Sequence, residues 1–452
     1  MKVDVLVAEI GSTTTMVNAF NDLAGEPKFI GQGQAPTTVL DGDVCVGLQA
    51  AVDDAMRNLG ADSLDYGQMF ATSSAAGGLR MSVHGLVYDM TVRAAEAAAL
   101  GAGAVVRMVT AGKMSELDLE DLKLLCPNVI LIAGGTDYGE RETAVYNARA
   151  IAALGMNVPV IYAGNVQNQN IIRNIFETAG IPLTVTENVY PKLDVLNIEP
   201  CRRAIQDVFE KHIIHAPGME HVRDMVTGNI LPTPGAVMEA AQLLYGEIGD
   251  LVCLDIGGAT TDVHSVTEGS EEIAAMQITP EPFAKRTVEG DLGMFVNAHN
   301  LVDRITKDEL SRELGLDIDA VMADYKPIPD TEEQFRLTER LCLEAGLVSL
   351  ERHAGHLRYI YLPQGRKTIA EGKDLTQLRH LVCTGGALTR LPHHTDIARR
   401  LCDCNTSRMM LYPEPGKMDV LVDNDYIMAS LGVLGKQYPE AAVKLMKRSM
   451  GL

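Results

Sequence analysis

The sequence predicts an α/β protein built from two copies of one lobe, and three observations predict it. Apolar runs of strand length alternate with segments of helical period, the pattern of a mainly parallel sheet covered by helices. The run Val5-Leu6-Val7-Ala8-Glu9-Ile10-Gly11-Ser12-Thr13-Thr14-Thr15 is echoed by Leu251-Val252-Cys253-Leu254-Asp255-Ile256-Gly257-Gly258-Ala259-Thr260-Thr261-Asp262. Each is an apolar stretch that reaches an acidic residue and then breaks into glycine and hydroxyl side chains. Gly134-Gly135 and Gly385-Gly386 each end a further apolar run, at nearly the same distance from their respective turns, so they are expected to be mates in the two copies.

The elements follow in order. Val3–Val7 reads as a strand, and Asp43–Leu59 as a helix with Val44, Leu48, Val52 and Met56 along one face. Gln68–Thr72 is a strand leading into Ser73-Ser74-Ala75-Ala76-Gly77-Gly78. Thr91–Leu100 is Ala-rich and helical, ending at Gly101 and Gly103. Asn128–Ala133 is a strand that breaks at Gly134, Glu140–Leu154 a helix, and Pro159–Tyr162 a strand. In the second half Leu251–Leu254 is a strand, with Val263–Val266 as its antiparallel return. Glu332–Leu350 is a long helix, His380–Thr384 a strand breaking at Gly385, and Val420–Val422 a strand before the helix Tyr426–Leu434. The expected domains are a first lobe over 1–166, an inserted segment over 167–231, and a second lobe over 232–452.

Composition narrows the function. A chain of 452 residues is too long for one simple core. The balance of 60 acidic against 39 basic residues, net −21, supplies no basic field for a phosphate-backbone partner, so nucleic acid is not expected. The absence of Trp argues against base-stacking platforms. The eight cysteines are scattered without a C-x-x-C pair, and Cys402-Asp403-Cys404 lacks partners at structural zinc spacing, so free thiols in a reducing compartment are expected. Asp4 and Glu9 interrupt the first apolar stretch, which is therefore no secretory signal, and no run approaches membrane-spanning length. The expected location is the cytoplasm, with no membrane partner.

The two turns carry the chemistry. Glycine lets a backbone approach a ligand closely. Successive N–H groups with Ser and Thr hydroxyls suit phosphate oxygens. A carboxylate at a strand end suits Mg²⁺, which takes few protein ligands and keeps its waters. Two such turns facing each other would hold a nucleoside triphosphate and its metal.

Glu9–Thr14, Asp255–Asp262 and Val382-Cys383-Thr384-Gly385-Gly386-Ala387-Leu388-Thr389-Arg390-Leu391-Pro392 resemble the two phosphate motifs and the adenosine motif of the actin-like ATPase superfamily. Almost the whole chain resembles the narrower MutL/GlmL family. That likeness is carried by Ala71–Leu79, Leu100–Ala104, Ala133-Gly134-Gly135-Thr136-Asp137, Tyr162–Asn165, Glu289–Gly293 and Glu351–Gly355. Its members accompany adenosylcobalamin-dependent glutamate mutase, and a related branch accompanies D-ornithine aminomutase. The DNA mismatch-repair protein of the same name is unrelated. The resemblance implies duplicated actin/ribonuclease H-like lobes with an ATP cleft between them, and a weak ATPase acting as reactivating chaperone on the mutase subunits. It leaves a homodimer open, as it does the choice of mutase.

The resemblance also implies roles. Gly11, Ser12, Thr13 and Thr14 would contact the β- and γ-phosphates from one side, and Gly257, Gly258, Thr260 and Thr261 from the other. Charge-assisted hydrogen bonds of this kind are each worth about 1.5–3 kcal/mol. Asp255 and Glu9 would hold hydrated Mg²⁺, and Asp255 or Asp262 would orient the attacking water. Gly385, Gly386 and Ala387 would pass under the adenosine. Arg390 either contacts the base or is a solvated arginine. Glu9 stands where the superfamily usually has Asp, with the same charge one methylene further out. Glu289 and Asp291 either line the cleft or form a solvated loop. His353 reads as a hydrogen-bonded packing residue, and His393-His394 as surface. Asp262-Val263-His264 has Thr267 where the cobalamin-binding Asp-x-His-x-x-Gly pattern has glycine, so cobalamin is expected only on the partner enzyme. A small-molecule kinase on the same fold is the alternative reading.

Overall fold

The computed structural model describes residues 1–452 except 12–13, 39–41, 75–78, 213–220, 229, 364 and 408, and the side chains at 210, 212, 223, 224 and 362. The chain forms two compact units, Met1–Met238 with Thr279–Pro282, and Glu239–Ile278 with Phe283–Leu452.

In the first unit β1 (Lys2–Ile10) pairs antiparallel with β2 (Thr14–Asn21), and β2 with β3 (Lys28–Pro36). Asp43 caps the next helix, Val44–Asn58, by accepting from the Cys45 N–H, and Val44, Leu48, Ala51, Val52 and Ala55 form its buried stripe. β4 (Asp65–Ser73) then lies parallel to β1. The chain next builds a second, all-parallel sheet from β5 (Leu79–Gly85), β6 (Ala104–Ala111), β7 (Val129–Ile132), β8 (Val160–Tyr162) and β9 (Leu183–Val185), in the order β6-β5-β7-β8-β9. It returns as β10 (Ile230–Pro232), parallel to β4, which completes a sheet of order β10-β4-β1-β2-β3. β1 is buried almost continuously from Val5 to Ile10, as a strand covered on both faces must be. The Ala-rich helix Arg93–Gly101 buries Ala94, Ala95, Ala98 and Ala99 in a core shared by residues of both sheets.

In the second unit β11 (Leu251–Ile256), β12 (Thr261–Val266) and β13 (Ala284–Glu289) run antiparallel in succession. A 22-residue helix, Glu332–His353, precedes the hairpin β14 (His356–Leu362) and β15 (Gly365–Glu371). β16 (His380–Thr384) is parallel to β11, and β17 (Asp419–Val422) parallel to β16, giving the order β13-β12-β11-β16-β17. Each central sheet thus has two antiparallel strands on one side of its first strand and two parallel strands on the other. This is the actin/ribonuclease H-like lobe, present twice.

Two expectations need correction. Gly134-Gly135 follows β7 in the inserted sheet and is not the mate of Gly385-Gly386. The strand that stands to β1 as β16 stands to β11 is β4, so the corresponding turn is the one after Ser73, of which 75–78 lie outside the described residues. A glycine pair at the exit of a buried parallel strand is common to both sheets, which is why spacing misassigned it. For the same reason the inserted sheet starts at Leu79, inside the span expected for the first lobe, and the expected boundary at 167 falls between its β8 and β9. Among the described residues no helix is long and apolar enough to cross a membrane.

His84 on β5 is fully buried, its Nδ1 2.8 Å from the Thr110 hydroxyl and its Nε2 3.0 Å from the Ser82 hydroxyl. Burial pushes its pKa from the ordinary 6.5 down to about 4. The folded protein therefore keeps His84 neutral where the unfolded chain takes a proton. Its stabilising contribution is full above pH 6.5 and is lost as the pH falls from 6.5 towards 4, by up to about 3 kcal/mol. Urea unfolding at stepped pH should show this loss in the native protein and a flatter profile in His84→Gln; equal slopes would remove His84 from the account.

Candidate functional site

The turn of the second unit is built from its carbonyls outward. The Gly257 N–H donates to the Thr260 carbonyl at 3.0 Å, closing a tight link between β11 and β12. The Gly257 carbonyl accepts from Met294 N–H, and the Gly258 carbonyl from both Phe295 and Val296. The Ala259 carbonyl accepts from the Asn297 side chain. A Cβ on Gly293 would lie 2.3 Å from the Ala259 carbonyl oxygen, so only glycine lets that segment approach. The turn's oxygens are thus tied into the protein body. Among the described residues the N–H groups of Gly258 and Ala259 donate to nothing, and Gly258 is exposed. That is the arrangement a phosphate-binding turn requires.

The side chains at this turn divide their duties. Asp255 is half-buried near the end of β11, in register with Asp262 on β12 and Thr384 on β16. Asp262 is buried and both its oxygens are engaged. Oδ1 lies 2.5 Å from Nη2 and 2.8 Å from Nε of Arg286, itself buried on β13, while Oδ2 accepts from the Thr260 hydroxyl at 2.9 Å. The Thr261 hydroxyl, also buried, donates to the Leu292 carbonyl. Asp262 and Thr261, expected to meet water and phosphate, therefore brace the turn from inside.

The third motif adjoins the second. Gly385 has φ +82, and a Cβ there would lie 2.5 Å from Asp255 Oδ1 and 2.7 Å from the Ile256 backbone. Glycine is required on both counts, and its absent side chain is what brings the Asp255 carboxylate against this turn. A Cβ on Gly386, by contrast, would meet nothing within 4 Å. Ala387 packs partly against the core of the unit. The strand exit is fixed by Asp423, which accepts from the Thr384 and Ser449 hydroxyls and from the N–H groups of Ile427 and Met428. Burial pushes the Asp423 pKa up and these four donors oppose it.

The turn of the first unit repeats the geometry. The Gly11 N–H donates to the Thr14 carbonyl at 3.0 Å, the same closure at the same length as Gly257 to Thr260. Ser12 and Thr13 lie outside the described residues. Glu9 is buried in register with Thr72 of β4 and accepts from the Asn18 side chain at 3.3 Å. The Thr72 hydroxyl in turn accepts from Thr233, just past β10. The structure thus brings Glu9, Gly11 and Thr14 together in one unit, and Asp255, Gly257, Gly258, Thr260, Thr261, Asp262, Gly385, Gly386 and Ala387 in the other.

Arg286, Asp423 and Asn18 were not singled out in the sequence. A lone arginine inside the strand pattern Ala284-Lys285-Arg286-Thr287-Val288 was the signal for the first. Glu289 and Asp291 are held by Arg352, whose Nη1 lies 2.5 Å from Glu289 and 2.9 Å from Asp291, and Arg352 keeps the Asp291 carboxyl below the usual carboxylate range. His353 is a packing residue, buried and bonded to the Ser265 and Thr287 hydroxyls at 2.8 Å each. His264 is fully buried on β12.

The MutL protein family matches this chain over residues 5–450. Protein MutL of Clostridium tetanomorphum is 36% identical over 458 aligned positions, covering 98% of each chain. Among solved structures the chain is similar to nucleotide-free acetone carboxylase, 14% identical at TM-score 0.42 over 95% of this chain and 70% of that one. It is also similar to the ethanolamine utilization protein EutJ from Carboxydothermus hydrogenoformans, 12% identical at TM-score 0.33 over 98% and 89%. With a family match and a 36% identical relative that both run nearly end to end, the chain belongs to the MutL protein family.

Proposed function

We propose that this chain is an ATP-dependent accessory factor that reactivates an adenosylcobalamin-dependent amino-acid mutase, glutamate mutase or D-ornithine aminomutase. The observation that carries the ATP reading is the repeated closure, Gly11 to Thr14 and Gly257 to Thr260, each set beside a strand-end carboxylate. The two turns would grip one ATP, with the free N–H groups of Gly258 and Ala259 on its phosphates. Ser12, Thr13 and Thr14 would donate from the other turn. Gly385, Gly386 and Ala387 would lie under the adenosine, where the open space at Gly386 leaves room for it.

The residues also fit Mg²⁺. Among the described residues no group of three or more His, Cys, Asp or Glu gathers, and Mg²⁺ held through water and phosphate by Asp255 and Glu9 needs none. Bound there, it would neutralise charge on the phosphates during transfer to water. Asp255, whose carboxylate lies against Gly385 near the end of β11, would orient the attacking water. Hydrolysis would drive a hinge motion that alters affinity for the mutase and lets damaged cofactor leave.

The deciding experiment inactivates the mutase by turnover and then adds this chain, ATP, Mg²⁺ and fresh adenosylcobalamin. Activity should return only when all are present. No recovery, with no ATP hydrolysis in the presence of the mutase, would defeat the proposal, and ADP release stimulated by one metabolite would favour a kinase. Gly386→Val supplies a site-level check. Its side chain enters open space, so the melting temperature should stay at the native value while ATP affinity falls; undiminished ATP binding would place the nucleoside elsewhere.

A further inference from the structure

The hairpin β14–β15 is anchored at its base. Leu357 and Ala370 pack there with Ile273, Met276 and Leu411, and bridges join His356 to Met410 and Gln277 to Ala370. Beyond the base Arg358, Tyr359, Tyr361, Arg366 and Lys367 are exposed, while Ile369 is buried. Register places Tyr361 opposite Arg366 and Tyr359 opposite Thr368, so Tyr359, Tyr361 and Arg366 share one face, with the Arg366 guanidinium 4.2 Å over the Tyr359 ring. Tyr361 is 81% exposed, and on the other face Arg358 pairs with Glu371 and Lys367 adds a cation. Tyrosine and arginine are the residue types that anchor protein interfaces. On a chain of net charge −21, a projecting basic and aromatic element is an exception.

A surface of opposite character lies on the helix Glu116–Leu125 of the first unit. Leu122 is its buried residue. Leu117 and Leu124 are 65% and 83% exposed and stand seven residues apart, with exposed Glu120 and Asp121 between them at the spacing that puts all four on one face. Solvent-facing leucines bracketing two carboxylates mirror the tyrosines and cations of the hairpin.

We propose that the hairpin β14–β15 of one copy of this chain docks on the Leu117–Leu124 face of a second copy. Tyr359 and Tyr361 meet the two leucines, and Arg366 meets Glu120 and Asp121. Each copy carries one hairpin and one helix face, so the contact joins unlike patches and either closes on itself or extends. The contact stands apart from ATP binding and from any mutase.

Sedimentation velocity of the full chain over a wide concentration range reads the contact directly. The native chain should show a concentration-dependent species heavier than one copy. Arg366→Glu should weaken it about tenfold or more, and so should Glu120→Lys with Asp121→Lys. A chain carrying all three changes should associate again, because the charges are opposite once more. Thermal melts matching the native protein separate loss of contact from loss of fold. A native chain that sediments as a single copy at every concentration overturns the proposal. So do charge reversals without effect, or a triple variant that fails to recover. Amorphous aggregation on reversing Arg366, with association otherwise unchanged, overturns it too, since that cation then only guards an exposed strand edge.

Discussion

Arg286→Leu is expected to destabilise the second unit by about 3–5 kcal/mol, the usual consequence of leaving one member of a buried ion pair without the other. Asp262 would remain buried on β12 facing an apolar side chain, with only the Thr260 hydroxyl as partner among the bonds seen here. The damage should not stay local. β12 and β13 pair from Thr261–Glu289 to Val266–Ala284, and the Asp262–Arg286 contact ties the strand that begins at the candidate phosphate turn to the sheet edge. Adding Asp262→Asn to Arg286→Leu removes the stranded charge and should recover part of the loss. Urea unfolding measures both; a single-variant loss under about 1 kcal/mol would mean that solvent reaches this pair.

Asp255→Ala should cut Mg²⁺-dependent ATP hydrolysis by about a hundredfold or more while leaving the fold in place, the scale on which a single preorganised electrostatic group acts. Asp255 is half-buried, and its carboxylate lies against a glycine rather than in the apolar core. Steady-state phosphate release with and without Mg²⁺ gives the answer, and unchanged turnover would refute the assignment. Asp262→Asn is the informative companion. Its carboxylate braces the turn, so its loss should show first as lowered stability, with activity falling only as the turn loosens.

Much of this fold was legible because buried strands write themselves as apolar runs. His380–Thr384 has the bounds expected of it, and β1, β11 and β17 lie where such runs occur. Helices with one apolar stripe were equally plain, and Val44–Asn58 lies inside the expected Asp43–Leu59. The hairpin was not legible. His-Leu-Arg-Tyr-Ile-Tyr-Leu offers no clean apolar alternation, because Tyr359 and Tyr361 stand 45% and 81% exposed where a covered face would carry aliphatic residues. The two turns were legible as breaks after apolar runs, but the bracing within the second was not. Asp262 looks like a second catalytic carboxylate until Arg286, distant in sequence, is seen beside it. Spacing likewise cannot tell a glycine pair in an inserted sheet from one in the repeated lobe.

The Ala-rich helix Arg93–Gly101 has a consequence for the history of this protein. The inserted sheet occupies the connection between β4 and β10, two neighbouring parallel strands that elsewhere need only a helix between them. A graft at such a point would ordinarily remain removable. Here Ala94, Ala95, Ala98 and Ala99 sit in one continuous core with Leu6 and Ala8 of β1, Met81 and Val83 of β5, and Leu131 of β7. Methyl-sized side chains at that junction leave no slack, and a larger residue on either sheet must be answered by a smaller one on the other. The host lobe and its guest are therefore bound to drift through sequence space together, as one heritable block.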